Sequence, residues 1–482
     1  MFFYTSHVIE LNDNPNEAEN DSILLKNKHV NSVIYKKLAN IIGKERISES
    51  NLDVLYRHNM TPLPKETAFK TVPDIIVKPR DALDVSKIIK FAVKNNIPVT
   101  LIGGTTLALG ESTRASGGIF LDMGDMQKIL EINKENLYVT VEPGVNWMKL
   151  YDILLNEDLL VGTYPNNAPG VSVGDWVNTG GVGIGSYKYG GIGQQIRSLE
   201  VVLPDGNIIK TGFKNVVHNS SGYNLSDLFV GSEGTLGIVT KLTLKLFPTP
   251  EEIRPSTYVF PNLEEAGKAI LSLTRANINP YHIAFLDGTH FDILRDLGKD
   301  VPDVGALVNI IFSGNSRIID IEDKKTEEIM IKYGGEKQTE EFANHEWTER
   351  FFESRARRLG SGLIVAEGFC PLSRFIDMTK GSQGALKMLK MKGGIFGYIA
   401  DPNTALVITY AISNEQNIMK NMTSMALEKK ITDEILKVGG RPGEFGLIFR
   451  GNIKKIHGGK AFLMDDIKSA LDPYKILNPR KQ

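Results

Sequence analysis

Hydrophobic positions along the chain change their period several times, and the changes mark its elements. In "PDIIVKPRDALDVSKIIKFAVKNNIPVTLIGGTT" (73–106), an apolar run at Ile75–Val77 precedes apolar residues at helical spacing, Val85, Ile88, Ile89 and 91–93, and Pro98 then leads into "VTLI". This predicts a strand, a helix and a strand, a βαβ unit that runs out into a glycine loop. Strands are also predicted in "GGIFLDM" and "LYVTVEPG", a helix in "NWMKLYDILLNED", and a hairpin in "SLEVVLPDGNIIKTG" with its turn at Asp205-Gly206. The segment "LFVGSEGTLGIVTKLTLKLFPTP" (228–250) opens with two tight glycine turns, at 231 and 234, and continues as a strand alternating apolar residues with Thr or Lys.

After Pro250 longer helical patterns appear ("LEEAGKAILSLTRANI", "KTEEIMIKYG") between strands such as "ALVNIIFSG" and "ALVITYAIS". The expected organisation is an N-terminal extension (1–65), a first α/β domain (66–250), a second domain (251–430) and a C-terminal segment (431–482) that returns to the first domain. The extension holds one short helical pattern, "VNSVIYKKLANIIG", and the tail "DDIKSALDPYKILNPRKQ" reads as a helix with an Asn-Pro stop. The fold class expected is α+β.

Composition narrows the possibilities. With 482 residues, 41% hydrophobic and 23% charged, the chain supports two or three domains with sizeable cores. Its 56 Lys and Arg nearly balance 57 Asp and Glu, so a formal charge of −1 gives no field that would gather nucleic acid or an anionic membrane. The single cysteine, Cys370, excludes an internal disulfide and a cysteine-rich metal knuckle. The start "MFFYTSHVIELNDNPNEAEN" lacks the basic region of a signal peptide, and no window approaches the roughly 18 apolar residues of a membrane span. The expected location is the cytoplasm, with peripheral membrane attachment left open.

Three segments lack side chains where loops usually carry them: "IGGTTLALGES" (102–112), "NNAPGVSVGDWVNTGGVGIGSYKYGGIG" (166–193) and "GSEGTLG" (231–237). Successive amides in such turns form anion-binding nests, so three of them converging would make a trough for a long phosphate-bearing cofactor. Taken singly, each is more often just a tight turn. None is a Walker loop, since Gly-Lys-Ser/Thr is absent, and none has the strand-GxGxxG-helix arrangement of a Rossmann site.

The ordered set of the 73–106 unit, "LYVTVEPGVNW", "APGVSVGDWVNTGGVGIGSYKYG", "LEVVLPDGNIIKTG", "DLFVGSEGTLGIVTKLTLKLFPTPE" and "LDPYKILNPRK" resembles the vanillyl-alcohol oxidase and p-cresol methylhydroxylase (PCMH-type) flavoprotein superfamily. Within it, the chain is most similar to the branch of FAD-linked D-lactate dehydrogenases and glycolate oxidase subunits. The likeness spans about 68–250 and the final twenty residues, and the middle of the chain only in outline. It implies FAD lying extended between two subdomains, with a cap domain built on an antiparallel sheet. Gly231, Ser232, Gly234 and Thr235 would then be small so that the cofactor can lie against them. Ile238 and Val239 would offer main-chain groups to the flavin's pyrimidine edge, each bond worth about 1 kcal/mol. Gly103, Gly104, Thr105 and Thr106 would cradle the pyrophosphate, with Ser172, Gly174, Gly181, Gly183, Gly185 and Tyr189 closing its other side, and Asn478 would approach the flavin.

Two departures shape the expected chemistry. The first loop carries neither histidine nor arginine, so a histidyl link there is impossible and the FAD is expected to dissociate. Metal-assisted relatives carry histidines where "GYIADPNTA" (397–405) and "GEFGLIFRGN" (443–452) place Tyr398, Ala405 and Phe445, none of which can replace imidazole as a ligand. No catalytic metal is expected there. Substrate orientation then falls to organic groups. "EWTERFFESRARRLG" (346–360) supplies Arg350, Arg355, Arg357 and Arg358 at helical spacing, and Arg350 is the chosen carboxylate clamp, against the alternative of a solvated basic face. Tyr398, Tyr410, Glu444 and Arg450 are further pocket candidates, and His457 is either a general base or a surface histidine.

The resemblance thus implies an FAD-dependent oxidoreductase acting on a hydroxyl-bearing carbon, above all a D-2-hydroxy acid such as D-lactate or glycolate. Alternatives are an alkylglycerone-phosphate synthase-like flavoenzyme, a sugar, alditol or lactone oxidase, and a non-catalytic FAD-binding subunit. The electron acceptor stays open between oxygen, a quinone, a cytochrome and an electron-transfer protein, as does homo-oligomerisation.

Overall fold

The computed structural model describes residues 34–48, 74–102, 117–216, 218, 220–296, 298, 301–351, 362–413, 418–443 and 453–479. Three sheets carry the architecture. The first joins β1 (Ile47–Ser48), β2 (Ile75–Val77), β3 (Val99–Ile102) and β4 (Ile119–Asp122) in the order β1-β2-β4-β3, with β2 and β3 both parallel to β4. The helix Ala82–Asn95 between β2 and β3 buries Val85, Ile88, Ile89 and Ala92. Asp81 caps its start by accepting from the Asp84 amide, and Asn96 ends it in the left-handed region at φ 52°. The βαβ expectation holds, with β4 inserted between its two strands.

The second sheet is antiparallel, in the order β5-β6-β10-β8-β9: β5 (Ile129–Asn133), β6 (Tyr138–Val141), β8 (Ile196–Val202), β9 (Ile208–Lys210) and β10 (Ile238–Lys245). A small ladder pairs β7 (Leu159–Leu160) with β11 (Phe247–Pro248). Its core holds Trp147 and Trp176 edge to face at 5.3 Å.

The third sheet has eight antiparallel strands, ordered β15-β12-β14-β13-β17-β18-β16-β19. They are β12 (Glu252–Phe260), β13 (His282–Asp287), β14 (Ala306–Gly314), β15 (Glu336–Lys337), β16 (Gly362–Pro371), β17 (Gly393–Asp401), β18 (Thr404–Ser413) and β19 (Arg441–Pro442). Alternation separates its faces. Ile283, Phe285, Ile395, Val407 and Cys370 pack under helices Leu263–Thr274, Ser316–Lys332, Phe375–Met388 and Ile418–Lys437, while Ala284, Leu286, Phe396, Tyr398, Leu406 and Tyr410 form a separate cluster on the other face.

The chain end closes the structure. Val99 and Leu477 form a parallel bridge, the Asn478 amide donates to the Val99 carbonyl at 2.9 Å, and Ile476 and Leu477 complete the core of the first sheet. Among the described residues no helix is long and apolar enough to cross a membrane.

Candidate active site

The turn at 231–237 is held by the protein itself. Gly231 has φ 72° and donates to the Val177 carbonyl at 2.9 Å, which brings it backbone to backbone against Gly180, itself at φ 71°. The Ser232 hydroxyl donates to the Phe229 carbonyl at 2.8 Å, and the Thr235 hydroxyl to the Ser232 carbonyl at 2.7 Å. At Gly234 a Cβ would come within 2.9 Å of Leu101 and 3.1 Å of Asn478, and at Gly237 within 2.5 Å of Val201. Within the protein itself, small residues at 234 and 237 make room for neighbouring strands, and the hydroxyls of Ser232 and Thr235 close the turn. Likewise Ser172 caps the helix Val173–Thr179, exchanging bonds with Asp175 at 2.7 and 3.2 Å. Gly174 clears Pro143, and Gly181 clears Trp176.

What remains for a cofactor is backbone and one orphan. Ile238 and Val239 pair with β8 through Val202 and Val201, whereas β6 meets β10 only from Leu242 onward, so one edge of Ile238–Lys241 stands outside that ladder. Asn178, whose carbonyl accepts from the Glu233 amide at 2.9 Å, holds a buried side-chain oxygen with no partner among the described residues. A buried acceptor without a donor is costly, and an N–H or hydroxyl of a bound molecule would satisfy it. These features fit the FAD that the resemblance implies. Gly103, Gly104, Thr105 and Thr106 lie outside the described residues.

Asn478 and a residue absent from the sequence reading, Lys468, lock the turn in place. Asn478 Oδ1 accepts from the Leu101 amide at 3.2 Å and Nδ2 donates to the Glu233 carbonyl at 2.7 Å, so it ties β3 to the turn. Buried Lys468 Nζ donates to the carbonyls of Thr235 (2.6 Å) and Leu477 (2.8 Å) and to Asp472 (2.7 Å). The Asp472 carboxylate also accepts from the amides of Ile476 and Leu477, both at 2.9 Å. Replacing Asn478 with Ala is expected to lower FAD affinity about fivefold to thirtyfold, from two lost hydrogen bonds, as measured by flavin retained through dialysis.

The face of the third sheet opposite the helices meets the glycine segment across a cavity of about 120 Å³, lined by Ile184, by His282, Ala284 and Leu286 of β13, by Asn309 and Ile311 of β14, and by residues of three further stretches. Helix Gly288–Asp296 contributes His290, Phe291 and Leu294, and the turn after it Val301. Helix Glu340–Thr348 contributes Phe342, His345 and Glu346, and Arg350 follows two residues after its end. Arg350 is sandwiched between the rings of Trp347 and Phe351, whose centroids lie 4.2 and 4.3 Å away. Its Nε donates to the Tyr164 hydroxyl at 3.2 Å and Nη1 to the Trp347 carbonyl at 2.8 Å. Gly183 and Gly185 serve this arrangement, because a Cβ at either would strike the Tyr164 carbonyl (2.4 Å) or the Tyr281 ring (2.5 Å). Tyr189 lies 6.0 Å from the Tyr281 ring and 4.4 Å from that of Phe247.

Among the expected catalytic residues, Arg350 lines the cavity, whereas Tyr398 and Tyr410 stand behind it. The Tyr398 ring lies 5.0 Å from that of His282, and the Tyr410 hydroxyl meets His290 Nδ1 at 2.8 Å. Burial, with Asp287 adding to it, pushes the Tyr410 phenol far above its ordinary range. Asp287, raised to about 6 by burial, accepts from the amides of Ile395 and His290 and so anchors that helix. Glu444, Arg450, Arg355, Arg357 and Arg358 lie outside the described residues. His457 is half-buried, with burial and then Arg441 and Lys460 holding its imidazole below the ordinary value. It does not line the cavity.

His282 went unnoticed in the sequence. It is buried on β13, its Nδ1 has no partner among the described residues, and burial, followed by the charge of Arg350, lowers it to about 3. No three His, Cys, Asp or Glu side chains converge as a metal site among the described residues.

Comparison with known proteins adds the following. Residues 73–212 match the FAD binding domain family, and residues 249–482 match the C-terminal domain of the FAD linked oxidases. The glycolate oxidase subunit GlcD of Bacillus subtilis is 29% identical, over 93% of this chain and 96% of its own. A D-lactate dehydrogenase of Anaerostipes hadrus is also 29% identical, over 86% of this chain and 90% of its own. The crystal structure of p-cresol methylhydroxylase with substrate bound superposes with a TM-score of 0.80 at 19% identity, over 92% of this chain and 94% of that one, which shows the shared fold.

Proposed function

We propose a D-2-hydroxy acid, the class to which D-lactate and glycolate belong, as substrate for this chain, which belongs to the FAD-linked oxidases and is an FAD-dependent oxidoreductase. The observation that carries the proposal is Arg350, the one Lys or Arg among the described lining residues, on a cavity wall it shares with His282, whose buried Nδ1 has no partner among the described residues. The bound flavin supplies the hydride acceptor. The protein's part is to bind, orient and move one proton.

Two of Arg350's nitrogens are engaged by Tyr164 and Trp347, and the flanking rings fix its plane. The guanidinium is therefore preorganised to grip a carboxylate through its remaining N–H groups. His282 is the acceptor for the hydroxyl proton. Its depressed basicity keeps it neutral, and the oxygen it serves becomes strongly acidic as the C–H bond breaks, so even a weak base suffices.

The FAD is proposed to be noncovalent. The loop at 102–112 holds no histidine, and Cys370 faces the helix side of the third sheet, where burial pushes its thiol up to about 12. Denaturation is expected to release all flavin into the supernatant, and flavin that stays with the precipitated protein would contradict this.

A pH dependence follows with a definite sign. A base works only when unprotonated, so activity falls as pH drops through its pKa. With His282 near 3, kcat/KM should lose less than twofold between pH 8 and about 5, where an ordinary histidine would impose a limb near 6.5. Arg350 acts on its charge, the Tyr398 ring lies 5.0 Å away, and His290, His345, Glu346 and Glu349 line the same cavity. A substrate carboxylate offsets the Arg350 charge, so the limb in kcat should lie at higher pH than that in kcat/KM. A limb in kcat/KM near 6.5 that survives His282→Asn would overturn the assignment.

A further inference from the structure

We infer that Asn309 holds the substrate's 2-hydroxyl oxygen, its Nδ2 donating to that oxygen while the hydroxyl's own proton points to His282, an inference that rests on the hydroxy-acid reading above. Strand register brings the two side chains together. His282 pairs with Ile311 and Ala284 with Asn309, so Asn309 and His282 are diagonal neighbours on one face of β13 and β14, and all four residues line the cavity. Diagonal neighbours on a sheet face sit about 7–8 Å apart at their backbones, and an oxygen that accepts from one side chain and donates to the other spans about 5–6 Å between them. Ala284, directly opposite Asn309 and paired on its other side with Tyr398, carries only a methyl group, which keeps the floor between the two polar side chains low.

The amide is oriented by the protein itself. Thr257 stands opposite Asn309 on β12, and its buried hydroxyl donates to Asn309 Oδ1 at 2.6 Å. That hydroxyl has no other acceptor among the described residues, which sets the oxygen of the amide, rather than its nitrogen, toward Thr257. Two N–H groups are left on Nδ2. They have no partner among the described residues, and Asn309 is only half-buried on the cavity wall. Arg350 comes from the stretch after helix Glu340–Thr348 and not from the sheet, so the carboxylate meets the guanidinium while the hydroxyl meets the sheet residues His282 and Asn309. A hydroxyl rotates freely about its C–O bond, and His282 takes the proton only when the O–H is aimed at the imidazole. A donor set on one lone pair of the oxygen holds the O–H in that direction. Asn309 thus touches the substrate, and Thr257 is a positioning residue that acts through it.

The test uses the holoenzyme and two ligands that differ in that one oxygen: pyruvate, the 2-oxo product of D-lactate oxidation, and propionate, which lacks it. Each is titrated while tryptophan emission is followed, because Trp347 lines the cavity whereas Trp147 and Trp176 are buried in the core of the second sheet. Each is also run as a competitor of D-lactate in anaerobic flavin reduction. The wild type should bind pyruvate about three- to tenfold more tightly than propionate, the effect of one neutral hydrogen bond. In Asn309→Leu that preference should vanish, with propionate unchanged within about twofold and FAD content at the wild-type level. The double change Asn309→Leu with Thr257→Val strands no hydroxyl and should show the same loss, which keeps the test open if the single variant does not fold. Thr257→Val alone should lose part of the preference. Flavin reduction at saturating D-lactate should slow at least about tenfold in Asn309→Leu, since the O–H is no longer aimed. Equal weakening of pyruvate and propionate, or a pyruvate preference that survives Asn309→Leu, would overturn this inference and leave the hydroxy-acid reading standing. Failure of every hydroxy acid to reduce the flavin, with neither ligand perturbing emission, would overturn both.

Discussion

Replacing Arg350 with methionine is expected to lower kcat/KM for a 2-hydroxy acid by about two to three orders of magnitude, mostly through KM, while FAD content stays at the wild-type level. The size follows from the chemistry. A charge-assisted bond contributes about 1.5–3 kcal/mol, and a carboxylate drawn into a mostly apolar cavity without its cation is left with an unpaired charge. Methionine keeps contact with the Trp347 and Phe351 rings between which the guanidinium lies, so the loss reports on charge more than on packing. Lysine at this position should recover only part of the effect, because an ammonium cannot reproduce two parallel N–H bonds. Steady-state kinetics with flavin quantified in each preparation checks this. A kcat/KM within threefold of wild type would remove Arg350 from the site.

The second large effect lies at Lys468. Methionine there leaves Asp472 buried without its countercharge, and losing one partner of a buried pair costs about 3–5 kcal/mol. The same change frees the Thr235 carbonyl and the Leu477 carbonyl, both held by Nζ, and with them the turn beside Asn178 and the chain end that carries Asn478. Lys468→Met should lower the thermal midpoint by about 3–5 °C and reduce retained FAD. The double change Lys468→Met with Asp472→Asn should regain part of the stability, since no charge is then stranded. Equal flavin retention in Lys468→Met and wild type would show that this latch does not govern the cofactor turn.

How far the sequence announces this molecule depends on the range of the interactions involved. Ala82–Asn95 is legible from helical spacing and its Asp81 cap, and β10 from the period-two run after Gly237, because both patterns are local. Of the third sheet, β14 and β18 are legible as apolar runs, but the sequence does not show which face the helices cover, because both faces are apolar. Glycines at 183, 185 and 234 signal close approach, yet the sequence does not say to what, and the approaching groups prove to be Tyr164, Tyr281 and Leu101. Arg350 stood in the sequence as one of four arginines in 346–360, and its place on the cavity wall between the Trp347 and Phe351 rings is visible only in the structure.

His282 and Lys468 were not legible. His282 acquires its meaning from Arg350, 68 residues later, and from Tyr398 across a strand pairing. Lys468 looks like any surface lysine of a polar helix until Thr235 and Leu477 fold onto it. Tyr398 and Tyr410 were named as pocket candidates, but each stands behind a histidine that no motif marks. Such residues are invisible in a local pattern because their neighbours are set by register between distant strands.

The central claim, that Arg350 and His282 present a D-2-hydroxy acid to a bound flavin, is tested most directly by anaerobic reduction. The purified yellow holoenzyme is mixed without oxygen with D-lactate and glycolate, and in parallel with polyols and dihydroxyacetone phosphate, while its visible flavin absorption is followed. The account predicts that the hydroxy acids bleach the flavin, and that the Arg350→Met holoenzyme needs at least about a hundredfold more of either. A flavin that stays yellow with every hydroxy acid while a polyol or a phosphorylated ketone reduces it would contradict the claim.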